Sequence, residues 1–597
     1  MIARLRADAR ILPFLALVVI GFGLLARNDA TFAQAGTYVA IFAIAAIGLS
    51  VLLGNVRQIS VGQAGFFGIG AYAVGYFTTV LNWPFWPAAA VGVAAAAVVG
   101  LALGFIALRF RGHYLAMATL AFGLIAVGIF HASSALGGAS GITNIAYPQL
   151  GALTISGYAA YWFAWIVAGL VALASLNLLR GRTGRAFETI RNDELAAEAT
   201  GVPTRRYKIL AFAYAGALAA VAGAIYASFL GLVNPESVGI GLSIDLLLMV
   251  VLGGSGTISG ALVGAALIGY LNVVGHQYQN WREVAYGALV IVFVVAAPAG
   301  IVGLLRTLAS RARSSRRIAP AVPENAVAAT VTERARPAPV HAPHAVPLAV
   351  RGLTKRFGGL VAVDGVSFAL QPGTLTSLIG PNGAGKTTLF NAICGIGRPA
   401  SGRVEIAGTD VSGRQPHQIA ALGVARTFQN ARLFGEMTVL ENVVAGALRT
   451  ERGSFATDLL ALPAARRAER EAAQRARATL ARLGLEHLAD AYAKDLPFGD
   501  RRRVELARAL AAQPWLLLVD EPAAGLNAQE RAQLLADLTA LRDAGTTLLL
   551  VEHDMQLVMA ISQRVMVLEF GRLIADGAPA QVRSDPAVVA AYLGTAS

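Results

Sequence analysis

The segment Ser377-Leu-Ile-Gly380-Pro-Asn382-Gly383-Ala-Gly385-Lys386-Thr387-Thr388-Leu389 carries the most sharply specified chemistry in this sequence. Its spacing is G-x-x-x-x-G-K-[ST], entered by an apolar strand and followed by a helix. Glycines let backbone N–H groups close around phosphate oxygens, and the helix start adds the positive end of its dipole. Lys386 can reach the outer phosphates of a nucleoside triphosphate, and Thr387 can offer its hydroxyl to Mg²⁺. Gly380, Asn382, Gly383, Gly385, Lys386, Thr387 and Thr388 are therefore the expected phosphate cradle. A second apolar strand, Trp515-Leu-Leu-Leu-Val-Asp520-Glu521, ends in two acids. Asp520 suits Mg²⁺, usually through water, and Glu521 is placed to polarise an attacking water, because phosphoryl transfer is mainly positioning and charge stabilisation. Two acids ending a strand can merely cap a turn, but beside a phosphate loop that reading is weak.

The rest of the chain must position this chemistry, and much of it belongs in lipid. Of the 597 residues, 56% are hydrophobic and only 14% charged, against roughly a quarter charged in soluble domains. The net charge of +14 comes with Arg-rich segments flanking apolar runs, which fits cytoplasmic anchoring beside a membrane better than nucleic-acid binding. The single cysteine, Cys394, excludes an intrachain disulfide and a Cys-cluster metal site, and reads as a small buried residue.

Spans are expected near 11–26, 36–54, 65–81, 88–108, 114–134, 160–179, 209–230, 242–254, 261–275 and 284–303. The 242–254 run is too short for a full crossing of about 20 residues and reads as a broken or re-entrant helix. Small residues such as Gly68, Gly70, Gly92, Gly100, Gly104, Gly264 and Gly269 allow close helix approach. With about ten crossings, the clusters Arg4/Arg6/Arg10, Arg109/Arg111, Arg180–Lys208 and Arg306–Arg317 all fall on one side, the cytoplasmic one. The basic start and Ala33-Gln34-Ala35 resemble a cleaved signal peptide, but the polar break Arg27-Asn28-Asp29 and the long multispan region favour a retained first span. Residues 306–347, rich in Pro, Ala and Arg, read as a flexible tether. The expected domains are 1–305, a transmembrane domain; 306–347, the linker; and 348–597, the ATPase.

From the phosphate loop outward the sequence resembles the ABC ATPases. Phe357 lies where that family stacks an aromatic on adenine. Thr427-Phe428-Gln429 resembles the Q-loop, and Leu496-Pro497-Phe498-Gly499-Asp500 takes the place of the LSGGQ signature. Ala524-Gly525-Leu526-Asn527 resembles the D-loop, and Glu552-His553-Asp554 the switch-histidine segment. The resemblance implies that Phe357, Gln429, Gly499 and Asp500 contact ATP. It further implies that Gln429 joins Thr387 and Asp520 at Mg²⁺, and that Glu521 and His553 are the catalytic pair. Pro497 stands where the signature serine normally donates to the γ-phosphate, and Pro has neither hydroxyl nor N–H; Asp500 replaces Gln. A working site with altered contacts is expected.

The resemblance narrows to the ABC importers of branched-chain amino acids. In the ATPase half it is carried by Lys355-Arg-Phe-Gly-Gly-Leu360, Arg426-Thr-Phe-Gln429, Phe434-x-Glu436-Met-Thr-Val439, Glu521-Pro-Ala-Ala-Gly-Leu-Asn527, Val551-Glu-His-Asp-Met555 and Tyr592-Leu-Gly594. In the permease half it is carried by Gly62-Gln-Ala-Gly-Phe-Phe-Gly-Ile-Gly-Ala-Tyr72, the segment Arg111–Gly123, the loop glycines Gly137, Gly138 and Gly141, and Val251-Leu-Gly-Gly-Ser-Gly-Thr257. Residues Gly184–Gly201 resemble the coupling segment that docks on the ATPase; a solvated charged helix is the alternative. The implied fold is an α-helical polytopic membrane domain followed by an α/β P-loop ABC nucleotide-binding domain.

The implied activity is ATP-driven import in a bacterial inner membrane, with the ATPase cytoplasmic. One chain has one cassette, whereas ABC ATPases sandwich ATP between two. A second permease, a second cassette and an extracytoplasmic binding protein are the expected partners; a homodimer is the alternative assembly. Nucleic acid is not an expected partner. Uptake of urea, short amides or aromatic acids is the rival within transport, and a cassette used for regulation or mechanical work is the rival outside it. Asp245, at the start of a span, is an intramembrane acid and so a substrate-path candidate, with a solvated interfacial role as the alternative.

Overall fold

The computed structural model describes residues 2–110, 112–274, 287–288, 291–292, 299–314, 346–449 and 453–593. The first half of the chain is helical, because a helix satisfies every backbone polar group within one segment and so suits lipid. In order come α1 (Ile2–Ala26), α2 (Ala30–Ser50), α3 (Gln63–Thr79), α4 (Phe85–Ala107), α5 (His113–Ala132), α6 (Tyr158–Arg180), α7 (Arg182–Asn192), α8 (Glu194–Ala199), α9 (Thr204–Leu230), α10 (Ile240–Gly253), α11 (Ile258–Val274) and α12 (Gly300–Ser314). Each span expected between residues 11 and 275 falls on one of these helices, with its ends shifted by a few residues. Five helices among the described residues are long and apolar enough to cross a membrane, and α10, α11 and the apolar part of α1 are shorter. By that measure the expected count of ten is not reached among the described residues. Most of the expected span 284–303, most of the tether 306–347, and Arg111 and Gly594 lie outside the described residues.

The polar break after α1 has a structural use. Asp29 caps α2, accepting the Thr31 N–H at 2.7 Å, and so satisfies a donor the helix start leaves open. Past Ser50, α2 runs on through a π-helical turn, Val51–Asn55. Two pairs of short antiparallel strands lie between the helices: β1 (Ile142–Thr143) with β4 (Leu232–Val233), and β2 (Gln149–Leu150) with β3 (Leu153–Thr154).

The chain divides into two compact units. One comprises Met1–Arg191, Arg205–Glu324 and Ser454–Leu462; the other comprises Asn192–Thr204, Asn325–Gly453 and Pro463–Ser597. In the first, small residues set the helix spacing. A Cβ at Gly70 on α3 would meet the backbone of Ala220 on α9, and one at Gly223 on α9 would meet the Phe67 carbonyl on α3. Backbones this close supply the van der Waals contact that replaces a hydrophobic driving force in lipid. In the same unit Thr183, at the start of α7, donates its N–H and its hydroxyl to Asp458 Oδ2 at 2.8 and 2.6 Å, and the Phe455 ring packs edge-on against Tyr214.

The second unit is α/β. Its strands are β5 (Leu348–Phe357), β6 (Leu360–Ala369), β7 (Leu375–Ile379), β8 (Ser401–Ile406), β9 (Thr409–Asp410), β10 (Val424–Arg426), β11 (Leu516–Asp520), β12 (Thr547–Val551), β13 (Arg564–Glu569) and β14 (Arg572–Gly577). One sheet has the order β10-β11-β12-β7-β13-β14, parallel except for β14; the other is antiparallel, β6-β5-β8-β9. β7, β11 and β12 are buried at every position, as expected of continuous apolar runs in a parallel sheet covered on both faces. Three helices matter for the site: α13 (Lys386–Ile393), α14 (Phe498–Ala511) and α15 (Ala528–Asp543). Asp193 also belongs to this unit; it caps α8 through the Ala196 N–H at 3.0 Å and accepts Arg432 Nη1 at 2.8 Å.

Candidate nucleotide site

The parallel register brings the carboxyl ends of β7, β11 and β12 side by side, with Asp520 opposite Val551 and Leu378 opposite the same residue. Loops leaving such strand ends form the ligand crevice of open α/β sheets. Here the loop after β7 is the phosphate loop, β11 ends on Asp520-Glu521, β10 leads to Gln429, and β12 leads to His553. Gly385 has φ +99, and a Cβ on it would run into the Ala362 carbonyl. Only glycine takes that conformation without strain, which explains the second glycine of the motif.

A cavity of about 480 Å³ opens at this edge. It is lined by the expected Phe357, Asn382, Gly383, Gly385, Lys386, Thr387, Thr388, Gln429 and Glu521. Lys386 donates from Nζ to the carbonyls of Gly380 and Pro381, at 2.6 and 3.0 Å. Burial lowers its pKa, while Glu521 and Asp520 pull the other way. Gln429 Nε2 donates to Glu521 Oε2 at 2.9 Å, and His553 Nδ1 lies 3.9 Å from the same oxygen. Glu521 itself has φ +43, a conformation uncommon for a residue with a side chain and a frequent mark of functional sites.

Other expected residues lie apart from the cavity lining. Gly499 and Asp500 are in the first turn of α14, whose N-cap is Pro497 with no side-chain cap. A Cβ at Gly499 would meet the Glu530 carboxylate, and one at Gly525 would meet the Phe498 ring, so the signature and the D-loop are neighbours. Asp520 is 1% exposed, and its Oδ2 accepts Arg426 Nη2 at 3.1 Å. Its Oδ1 is buried with no hydrogen-bond partner among the described residues.

Sequence reasoning missed three features. Arg426 opens the family-like stretch Arg426-Thr-Phe-Gln429, but nothing in that stretch marks it as the ion-pair partner of Asp520. Phe570 and Leu360 line the cavity; Leu360 closes the family-like stretch Lys355–Leu360 without being marked there as a site residue, and no motif covers Phe570. On α14, Glu505 accepts the N–H groups of Phe428 and Arg432 at 3.2 and 3.3 Å, and Arg502 Nη1 donates to the Phe428 carbonyl at 2.7 Å. The spacing of 502, 505 and 508 on one helical face was the available signal; a charged face on a helix is ordinarily a solvated one.

Residues 32–297 match the family described as branched-chain amino acid transport system, permease component; residues 363–524 match the ABC transporter family; residues 572–597 match the branched-chain amino acid ATP-binding cassette transporter family. The high-affinity branched-chain amino acid transport ATP-binding protein LivG of Escherichia coli K12 is 47% identical over 250 residues, which are 42% of this chain and 98% of LivG. The chain belongs to the branched-chain amino-acid ABC transporter family. It is a permease fused to an ATP-binding domain that hydrolyses ATP for transport. BraF of Pseudomonas aeruginosa is 46% identical over 250 residues, again 42% of this chain and 98% of that protein. Among solved structures, a nucleotide-free ATP-binding cassette from an ABC transporter is 33% identical with TM-score 0.37, covering 42% of this chain and 99% of that one. ABC transporters of this family work as complexes with partner subunits, and the apolar helices of the permease make this chain a membrane protein.

Proposed function

We propose that this chain is the permease-plus-ATPase subunit of an ATP-driven importer of branched-chain or related hydrophobic amino acids in a bacterial inner membrane. One observation carries the reading: the permease match at 32–297 and the cassette match at 572–597 name the same transport system. The proposed division is 1–305, 306–347 and 348–597, with many crossings in the first part and a cytoplasmic cassette in the last. The partners are a second permease, a second cassette and an extracytoplasmic binding protein. That Asn192–Thr204 belongs to the compact unit of the cassette supports Gly184–Gly201 as the coupling segment.

At the site, Phe357 stacks the base and the loop from Gly380 through Thr388 cradles the phosphates. Lys386 exchanges its carbonyl partners at Gly380 and Pro381 for phosphate oxygens. Glu521 holds the Gln429 amide on Oε2 and takes the attacking water's proton on Oε1. His553 steadies the γ-phosphate end, and Gly499 and Asp500 face the nucleotide held by the other cassette. Thr387, Gln429 and Asp520 would hold Mg²⁺, the unpartnered Oδ1 of Asp520 being the group that fits it. A bound Mg²⁺ would neutralise charge on the β- and γ-phosphates.

Uptake of radiolabelled leucine into vesicles bearing the full complex tests the reading. ATP-dependent accumulation is expected. Uptake of urea, short amides or aromatic acids in place of leucine would reassign the substrate, and no ATP-driven uptake of any of them would sink the importer assignment.

A further inference from the structure

Phe570 is 84% exposed and has φ +43. Both features are unfavourable: an apolar ring left in water, and a side-chain-bearing residue in the region glycine prefers. Its surroundings hold it there. Phe570 sits in the turn between β13 and β14, and the next residue, Gly571, donates its N–H to the Ala384 carbonyl and accepts the Asp364 N–H, each at 2.9 Å. Arg572 Nε donates to Asp364 Oδ2 at 2.8 Å. The turn is thereby tied both to the phosphate loop and to β6, and Phe570 is among the residues lining the nucleotide cavity.

Phe357 lines the same cavity from the other end of a short stretch of β6. It pairs with Leu360 in the strand register, while Gly571 packs against Ala362, two residues further along. Two strand residues span about 6.6 Å. The two backbone anchors are therefore spaced on the scale of the two contacts, about 3.5 Å each, that a flat base makes with a ring on each face. The Lys355 ammonium lies 5.2 Å from the Phe357 centroid and covers one face of that ring, leaving the other for the base.

We propose that Phe570 is the second ring of a base sandwich, so that adenine is held between Phe357 and Phe570 and the site gains a preference for purine nucleotides. The inference rests on the reading of Phe357 as the adenine-stacking residue.

Equilibrium binding of ATP, CTP and inorganic tripolyphosphate to the full chain in nanodiscs tests it. Phe570→Ala is expected to weaken ATP about tenfold, the order of one lost base stack, and to leave tripolyphosphate within about twofold. CTP loses less than ATP, and Phe570→Trp restores ATP binding. Unchanged ATP affinity in Phe570→Ala overturns the sandwich; if Phe357→Ala still weakens ATP, the stacking role of Phe357 stands without it. Equal losses of ATP and tripolyphosphate also overturn it, because they mark a disturbed phosphate loop. If neither variant weakens ATP, the inference and the Phe357 reading fall together.

Discussion

Arg426 and Asp520 form an ion pair of 3.1 Å in which the side chains are only 4% and 1% exposed. The same guanidinium donates from Nη1 to Asn391 Oδ1 at 2.7 Å and stacks on the Phe428 ring. It therefore ties the end of β11 to α13 and to the loop that carries Gln429. Removing one partner of a buried pair strands the other charge, at a cost of about 3–5 kcal/mol. Arg426→Gln is expected to lower the melting temperature of the full chain clearly, read by thermal denaturation in detergent.

The same variant has a pH signature. Burial raises the pKa of Asp520, and Arg426 opposes that rise. The folded state then holds this proton more tightly than the unfolded chain does, so the group's contribution to stability falls as pH climbs through the folded pKa. Without Arg426 the pKa moves further up. The pH dependence of thermal stability of the nucleotide-free, metal-free chain should shift to higher pH in Arg426→Gln, and an unshifted profile would show that Asp520 does not control it.

Glu521→Gln should separate binding from chemistry. A positioned general base contributes about 10²–10⁴-fold, so hydrolysis should fall by that order while ATP affinity stays near that of the parent. Loss of affinity together with rate would assign Glu521 to holding the nucleotide instead.

Two glycines of the phosphate loop should differ. A Cβ at Gly385 runs into the Ala362 carbonyl, whereas at Gly383 nothing lies within 4 Å, although φ is +82. Gly385→Ala is expected to abolish ATP binding, and Gly383→Ala to weaken it by the backbone strain alone, of order 1–3 kcal/mol. Nucleotide titration of the two variants side by side decides.

At Gly499 the obstacle is a side chain that has another task. Glu530 Oε2 accepts the Asn527 N–H at 3.0 Å while Asn527 Oδ1 accepts the Glu530 N–H at 2.9 Å, a reciprocal cap on α15 worth about 1 kcal/mol. Gly499→Ala should push that carboxylate aside and depress hydrolysis. Adding Glu530→Ala removes the obstacle and should recover part of the activity; no recovery would mean that the glycine is needed for nucleotide contact rather than for space.

The phosphate loop, the acids ending β11 and the alternation of membrane helices were legible because each depends on local spacing. A strand, a tight glycine turn and a helix are written in consecutive residues, and so are apolar runs. Arg426, Phe570 and Glu505 were not legible for the opposite reason. Their roles come from register: Arg426 meets Asp520 because β10 and β11 run in parallel, with Arg426 opposite Leu518, and Phe570 reaches the cavity because Gly571 is bonded to Ala384. The capping function of Asp29 was visible only as a polar interruption, since a cap and a loop residue look alike until the next helix is known to start at Ala30.

The composition of the two compact units bears on biosynthesis. The membrane unit includes Ser454–Leu462, and the cassette unit includes Asn192–Thr204. Chains generally fold domain by domain as they leave the ribosome, amino-terminal part first. Here the first unit lacks a piece until residue 462 has been synthesised, by which point the strand bearing the phosphate loop is already made and β11 is not. The first unit therefore has its full set of residues only after translation has passed Leu462. A single chain delivers the one late piece, Ser454–Leu462, at a fixed interval after the helices it joins, whereas Asn192–Thr204 is made before the rest of its unit.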